Sequence, residues 1–306
     1  LTTGWGMATL GAMNETLFQS PWGFLNLPKE RTTPEAARAW VLPVPYDATV
    51  CYGSGTRYGP SAILTASRAI EIYDYEFECE PGVRFGVHTL PPLAPQRQSP
   101  EAMIAAVEEA VAGTLPRCEL LAVLGGEHTI SAGVVRGLAR AQGASGLVCV
   151  QVDAHADLWD SYEGSKYSHA CAARRIVETC PIFQIGVRNL AAAEDQFRKS
   201  TDRVQIVFAD ETGWLPRLAE FVRGKTVFLT VDLDGLDPSI MPAVGTPEPG
   251  GLTWQQTLDI VRTVCREAAR MPVFDVVELS PIPGMIGPDF LAAKLVYKIM
   301  TLWLLK

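Results

Sequence analysis

The sequence predicts an α/β protein built on a mainly parallel sheet with helices on both faces. Short apolar runs rich in β-branched residues recur along its 306 residues, segments with helical spacing lie between most of them, and no repeat, low-complexity tract or Ser/Gly linker divides the chain. The order begins with a strand at 39–46 (AWVLPVPY), helices at 60–74 and 100–113, a strand at 120–126 and a helix at 130–142. It continues with a strand at 146–153, a helix at 170–179, strands at 182–188 and 203–210, and a helix at 213–223. A strand at 226–234, a helix at 253–269, a strand at 273–281 and a helix at 288–304 complete it. The runs are too short and too continuously apolar for one-sided sheets, so they read as strands buried on both faces. One domain over 1–306 is expected, with about 1–38 as an N-terminal extension.

Composition narrows the function. Apolar residues make up 48%, charged residues 20%, and the net charge is −8 with no dense basic run, which argues against a nucleic-acid partner and suits a cationic ligand. Seven scattered cysteines, never in a CxxC pair, suggest neither a disulfide framework nor a zinc knuckle and fit a reducing cytoplasm. The first basic residue is Lys29, so a secretory n-region is not expected, and no apolar stretch suggests a membrane span. Met7 and Met13 are the expected native starts, and the first dozen residues stay outside the functional argument.

In open parallel sheets the ligand crevice lies beyond the carboxyl ends of the strands. Three apolar runs end there in polar clusters: LAVLGGEHT with Glu127 and His128, GLVCVQVDAHADL with Asp153, His155 and Asp157, and FLTVDLDGLDPS with Asp232 and Asp234. A fourth ends in Glu278. Residues two apart at a strand end point the same way, so each cluster can face one point. Any one of these pieces alone reads as a turn, a capped strand end or a close backbone approach. Together, His128, His155, Asp153, Asp157, Asp232 and Asp234 would bury uncompensated charge unless cations join them. Two imidazoles and four carboxylates favour manganese over a thiolate-seeking metal, and they suffice for two ions roughly 3.5–4 Å apart.

The motifs GGEHTIS (125–131), DAHADL (153–158), DLDGLDPS (232–239), GTPEPGGLT (245–253) and VVELSP (276–281) resemble, in combination, the ureohydrolases, the arginase and agmatinase superfamily. The segment PYDATVCYGSGTRYGPSAI (45–63) resembles the signature of the agmatinase branch, and the likeness runs from about Pro45 to the C-terminus. This resemblance implies a three-layer α/β/α sandwich, two Mn²⁺ ions per chain, a homo-oligomer (trimer or hexamer), and attack of a metal-bridging hydroxide on a guanidino group to give urea and an amine. It implies that His128, Asp153, Asp157 and Asp232 hold one ion and that Asp153, His155, Asp232 and Asp234 hold the other. Asp157 would accept the nucleophile's proton, Glu278 would bind the guanidinium, and His169 would shuttle a proton to the leaving amine. Glu127 stands where many relatives carry Asp. His88 matches no motif and reads as structural.

The loop LWDSYEGSKYSH (158–169) places Asp160 and Glu163 where arginases carry neutral groups that hold a substrate carboxylate. Acids there are expected to repel a carboxylate and bind a distal ammonium, with Trp159 and Tyr162 against the methylenes, so agmatine is the expected substrate. The product would be putrescine. N1-aminopropylagmatine satisfies the same charge logic, and guanidinobutyrate and arginine are further alternatives. A dinuclear phosphoesterase would need an Arg or Lys clamp that the motifs lack, formiminoglutamate hydrolysis meets the same acidic mouth, and a non-catalytic binding protein would be expected to have a broken ligand set.

Overall fold

The computed structural model describes residues 23–306, so the expected starts Met7 and Met13 lie outside the described residues. Eight parallel strands form one sheet in the order β2-β1-β3-β8-β7-β4-β5-β6. They are β1 (Ala39–Val44), β2 (Val87–Thr89), β3 (Leu120–Gly125), β4 (Leu147–Val152), β5 (Ile182–Val187), β6 (Val204–Phe208), β7 (Thr226–Asp232) and β8 (Arg270–Val277). Every residue of β1, β3, β4 and β5 is buried, as two covered faces require.

Alternation along the strands divides the core into two layers. Leu120, Ala122 and Leu124 of β3 face the core completed by α1 (Gly59–Ser67), α7 (Leu215–Val222), α8 (Trp254–Glu267) and α9 (Gly287–Leu304). Leu121 and Val123 face the core completed by α3 (Pro100–Thr114), α4 (Ile130–Gln142) and α5 (Ala172–Thr179), with Phe197 of α6 (Ala192–Lys199) against it. Three layers result, as expected.

Several elements depart from expectation. The three-residue edge strand β2, the five-residue α2 (Pro81–Phe85) and α6, whose AAEDQFRK carries Phe197 as its one large apolar side chain, have too little periodicity to be read. Helix α1 stops at Ser67, and Ile70 turns back into the core. Strand β8 ends at Val277 because Glu278 takes a left-handed φ of 67°, which carries the chain out of the sheet. Among the described residues ahead of β1, Phe24 and Leu25 are buried, their amides donating to Thr89 Oγ1 and Ser67 Oγ at 2.9 Å.

Strand order explains the convergence of distant motifs. After β3 the chain crosses two sheet positions to β4, and β7 and β8 later fill the gap, so the carboxyl ends of β3, β8, β7 and β4 lie side by side. Close backbone contact locks the first loops together. Gly126 N donates to Val44 O at 3.0 Å and Glu127 N to Tyr46 O at 2.8 Å, and a Cβ on Gly126 would fall 1.8 Å from Tyr46 O. Backbone cannot yield as a side chain does, so Gly126→Ala is expected to destabilise the protein by about 3 kcal/mol or more. A shift in the chemical denaturation midpoint will measure it.

Candidate active site

Asp153 follows β4 directly and is fully buried. Its Oδ2 accepts from Gln151 Nε2 and its Oδ1 from the His155 amide, both at 2.6 Å. Gln151 is itself oriented by Gln184 on β5, whose Nε2 donates to Gln151 Oε1 at 3.0 Å. At the end of β7, Asp232 Oδ1 accepts from the Asp234 amide at 2.9 Å, and Asp234 Oδ1 accepts from the Ala154 amide at 3.1 Å. Asp232 Oδ2 and Asp234 Oδ2 take no part in these bonds and turn inward, and Asp153 Oδ2 turns inward while it accepts from Gln151.

The inward oxygens gather on His128 from the β3 loop. Its Nδ1 lies 3.1 Å from Asp153 Oδ2, 3.2 Å from Asp157 Oδ2 and 3.1 Å from Asp232 Oδ2, yet makes no aligned hydrogen bond. Its Nε2 is 3.0 Å from Thr230 Oγ1, and the hydroxyls of Thr230 and Ser131 reach buried Asp275, whose carboxyl burial pushes up to about 6. With its hydrogen on Nε2, the ring presents a lone pair at Nδ1 to three acids. His155 Nδ1 sits 3.0 Å from Asp234 Oδ2 and 3.7 Å from Asp153 Oδ1. Two triads, His128–Asp153–Asp232 and Asp153–His155–Asp234, therefore share Asp153, each with ligand atoms within 4.8 Å of one another.

Such crowding shifts the titration of Asp153, Asp157, Asp232 and both histidines. Burial and the Asp153 charge push Asp157 up to about 7, and burial with Asp234 and Asp153 raises Asp232 well above its ordinary range. Burial opposes charge on both histidines, but the acids around them carry His155 up to about 12 and raise His128 strongly. Burial likewise opposes charge on Asp153, yet the imidazoles of His128 and His155 close beside it hold its carboxyl well below the usual range. The unaligned Nδ1 and the inward oxygens fit a divalent cation at each triad, and an oxygen-rich set suits a hard or borderline one.

Above the triads a cavity of about 300 Å³ is lined by His128, His155, Asp157, Asp232, Asp234, Glu278 and His169, with Trp159 and Tyr162 among its walls. Glu278 Oε1 accepts from the His128 amide at 2.6 Å. Asp157 and Glu278 hold left-handed backbones, with φ of 51° and 67°, a conformation that costs about 1–3 kcal/mol and gathers at working sites.

Two sequence expectations are corrected. Asp160 and Glu163 do not line the cavity: Asp160 pairs with Arg175 at 2.8 Å, and Glu163 occupies an exposed turn. Strand alternation does not extend into that loop, and the dipeptide Arg174–Arg175 was the overlooked signal. The acid that does line this part of the cavity is Glu194 of α6, whose oxygens accept from the Leu158 and Ala191 amides at 2.7 Å. Asn189 and Cys51 also line it. Glu194 and Asn189 lie in no recognised motif, and Cys51 lies within the 45–63 signature segment without a role assigned to it there. His88 sits on β2 against Trp40, its Nδ1 2.9 Å from Thr32 O.

A doubly covered parallel sheet with paired acid and imidazole triads at its central strand ends defines an arginase-like enzyme. The chain belongs to the arginase family, whose model matches residues 37–302, and it is a ureohydrolase. It is 37% identical to the N(1)-aminopropylagmatine ureohydrolase of Synechocystis sp., over 93% of this chain and 97% of that one. It is 38% identical to an enzyme of the same description from Thermus thermophilus, over 88% and 91%. The crystal structure of agmatine ureohydrolase of Thermoplasma volcanium superposes with a TM-score of 0.78 at 31% identity, over 89% of this chain and 92% of that one.

Two outcomes follow for the cluster. Thr230→Val keeps the side-chain shape but strips the Nε2 support of His128, so manganese affinity should fall about 10–100-fold in a chelator competition, with the fold unchanged by circular dichroism. Groups whose pKa is raised to about 7 or above hold protons at neutral pH, and a cation must displace them. Manganese binding should therefore release protons and tighten as pH rises from 6 to 8, which calorimetry in buffers of different ionisation enthalpy will show.

Proposed function

We propose that the chain hydrolyses the guanidino group of N1-aminopropylagmatine, releasing urea and the corresponding amine, with agmatine as a shorter and poorer substrate. One observation carries the charge class: apart from the residues proposed to hold the metal ions, Glu194 and Glu278 are the acids that line the cavity, and among the described residues no Lys or Arg does. A tail bearing ammonium groups is drawn into such a wall, whereas the carboxylates of arginine and guanidinobutyrate are repelled. The relatives described above support the longer amine. The sequence-based expectation preferred agmatine to arginine on the charge of Asp160 and Glu163, a charge argument that Glu194 carries instead and that does not separate agmatine from the longer amine.

Two manganese ions are the proposed cofactors, held by His128, Asp153, Asp157 and Asp232 and by Asp153, His155, Asp232 and Asp234. Bound there, they lower the pKa of water enough to supply a nucleophile at neutral pH. The remaining work belongs to side chains. Glu278 takes the planar guanidinium and sets its carbon toward the triads, Asp157 accepts the proton that the attacking water sheds, and His169 returns a proton to the departing amine nitrogen. Water adds to the carbon, the bond from carbon to the alkyl-bearing nitrogen breaks, and neutral urea leaves beside an alkylammonium.

Urea release from manganese-loaded enzyme tests the reading. The kcat/KM for N1-aminopropylagmatine should exceed that for agmatine by about tenfold, and arginine and guanidinobutyrate should fall at least about a hundredfold below. Equal turnover of arginine would overturn the charge argument. Glu278→Gln should retain manganese while losing about 10–150-fold in kcat/KM, the worth of a hydrogen bond to a charged group.

A further inference from the structure

The proton donor assigned to His169 must present one ring nitrogen to the cavity in a defined protonation state, and the groups behind the ring determine which nitrogen that is. Thr49, in the loop after β1, lies against both the backbone and the ring of His169. Its Oγ1 accepts from the His169 amide at 3.0 Å and stands 3.3 Å from Nδ1. The same Thr49 is clamped by Glu127, which is fully buried at the end of β3. The Thr49 amide donates to Glu127 Oε2 at 2.7 Å, and the Thr49 hydroxyl donates to Glu127 Oε1 at 2.9 Å.

A threonine hydroxyl has one hydrogen. Three acceptors lie within its reach, namely Glu127 Oε1 at 2.9 Å, Thr129 Oγ1 at 3.3 Å and His169 Nδ1 at 3.3 Å, and the carboxylate is both the nearest and the strongest. The hydrogen therefore goes to Glu127, and the oxygen is left to accept. An accepting oxygen opposite Nδ1 requires hydrogen on Nδ1. Ser168 Oγ, 3.3 Å from the same nitrogen, can accept as well. The lone pair of the neutral ring is then on Nε2, which faces Cys51 Sγ at 3.5 Å on the cavity wall. Burial lowers the pKa of His169, which keeps the neutral ring in play and gives the tautomer its importance.

We propose that Glu127 and Thr49 are positioning residues: the Glu127 carboxylate orients the Thr49 hydroxyl so that its oxygen keeps hydrogen on Nδ1 of His169 in both ring states, leaving Nε2 as the nitrogen that carries the proton to the substrate in the imidazolium and holds the lone pair once it has been passed on. The inference rests on the proposed role of His169. It gives Glu127 a task distinct from that of its neighbour His128, and it explains why a carboxylate is buried against a loop threonine.

The test uses manganese-loaded Thr49→Val, Thr49→Ser and His169→Asn with N1-aminopropylagmatine and agmatine as substrates. Valine keeps the shape of threonine and removes the hydroxyl, and serine restores it. The expected result is a fall of about tenfold or more in kcat for Thr49→Val, with KM, bound manganese and melting temperature within about a factor of two or a few degrees of the parent, and recovery in Thr49→Ser. A kcat near the parent's in Thr49→Val beside a collapse in His169→Asn overturns the inference and leaves the role of His169 standing. Full activity in His169→Asn overturns both. Should Thr49→Val lose manganese or unfold, Glu127→Gln gives the second reading: a loss confined to kcat supports the inference, and unchanged kcat or a joint loss of kcat and manganese overturns it.

Discussion

Mutual repulsion among buried acids is the constraint on which this molecule is organised. Three carboxylate oxygens converge to within 3.1–3.2 Å of one imidazole nitrogen, which crowds buried acids together in a dry interior where their charges need compensation. Much that looks irregular in the sheet serves to hold them there. Gln151, Gln184, Thr230 and Asp275 interrupt strands that are otherwise apolar, and each has no exposed surface. In an ordinary core they would be costly. Here they point at the cluster from beneath, Gln184 through Gln151 to Asp153, and Asp275 through Thr230 to His128. Backbone amides of His155, Asp234 and Ala154 complete the support, so the orientation of each acid is fixed by groups that cannot drift.

What could be read in advance follows from where periodicity applies. The long strands and helices are legible because they are buried continuously or along a stripe, and the six residues of the cluster are legible because they interrupt such runs at strand ends. Past the strand end that logic fails. Asp160 and Glu163 are expected at the mouth because their loop corresponds to the one that holds the substrate's tail in arginases, but a loop has no period, and Arg175 draws Asp160 aside. Glu194 went unseen for the opposite reason. It lies on a short helix with little apolar pattern, and only the adjacency of β5 to β4 brings that helix to the cavity. The Glu127–Thr49 clamp joins residues far apart in sequence, and neither residue type announces the other.

The division of labour between fold and loops is correspondingly clear. The central strand ends carry the acids and imidazoles, and these determine what bond can be broken. The loops after β1, β4 and β5 carry Cys51, Trp159, Tyr162 and Asn189, α6 carries Glu194, and on the proposed function these meet the rest of the substrate. The same architecture can accept different tails by changing those loops without disturbing the cluster.

The left-handed backbones of Asp157 and Glu278 bear on how such a protein evolves. Glycine or asparagine would relax either position, and neither replacement keeps a carboxylate there. On the roles proposed for these two acids, the sequence that folds most securely is not the sequence that works. Variants chosen for heat resistance alone would drift toward an inert scaffold at these two residues, while retention of the acids obliges the rest of the core to carry the strain.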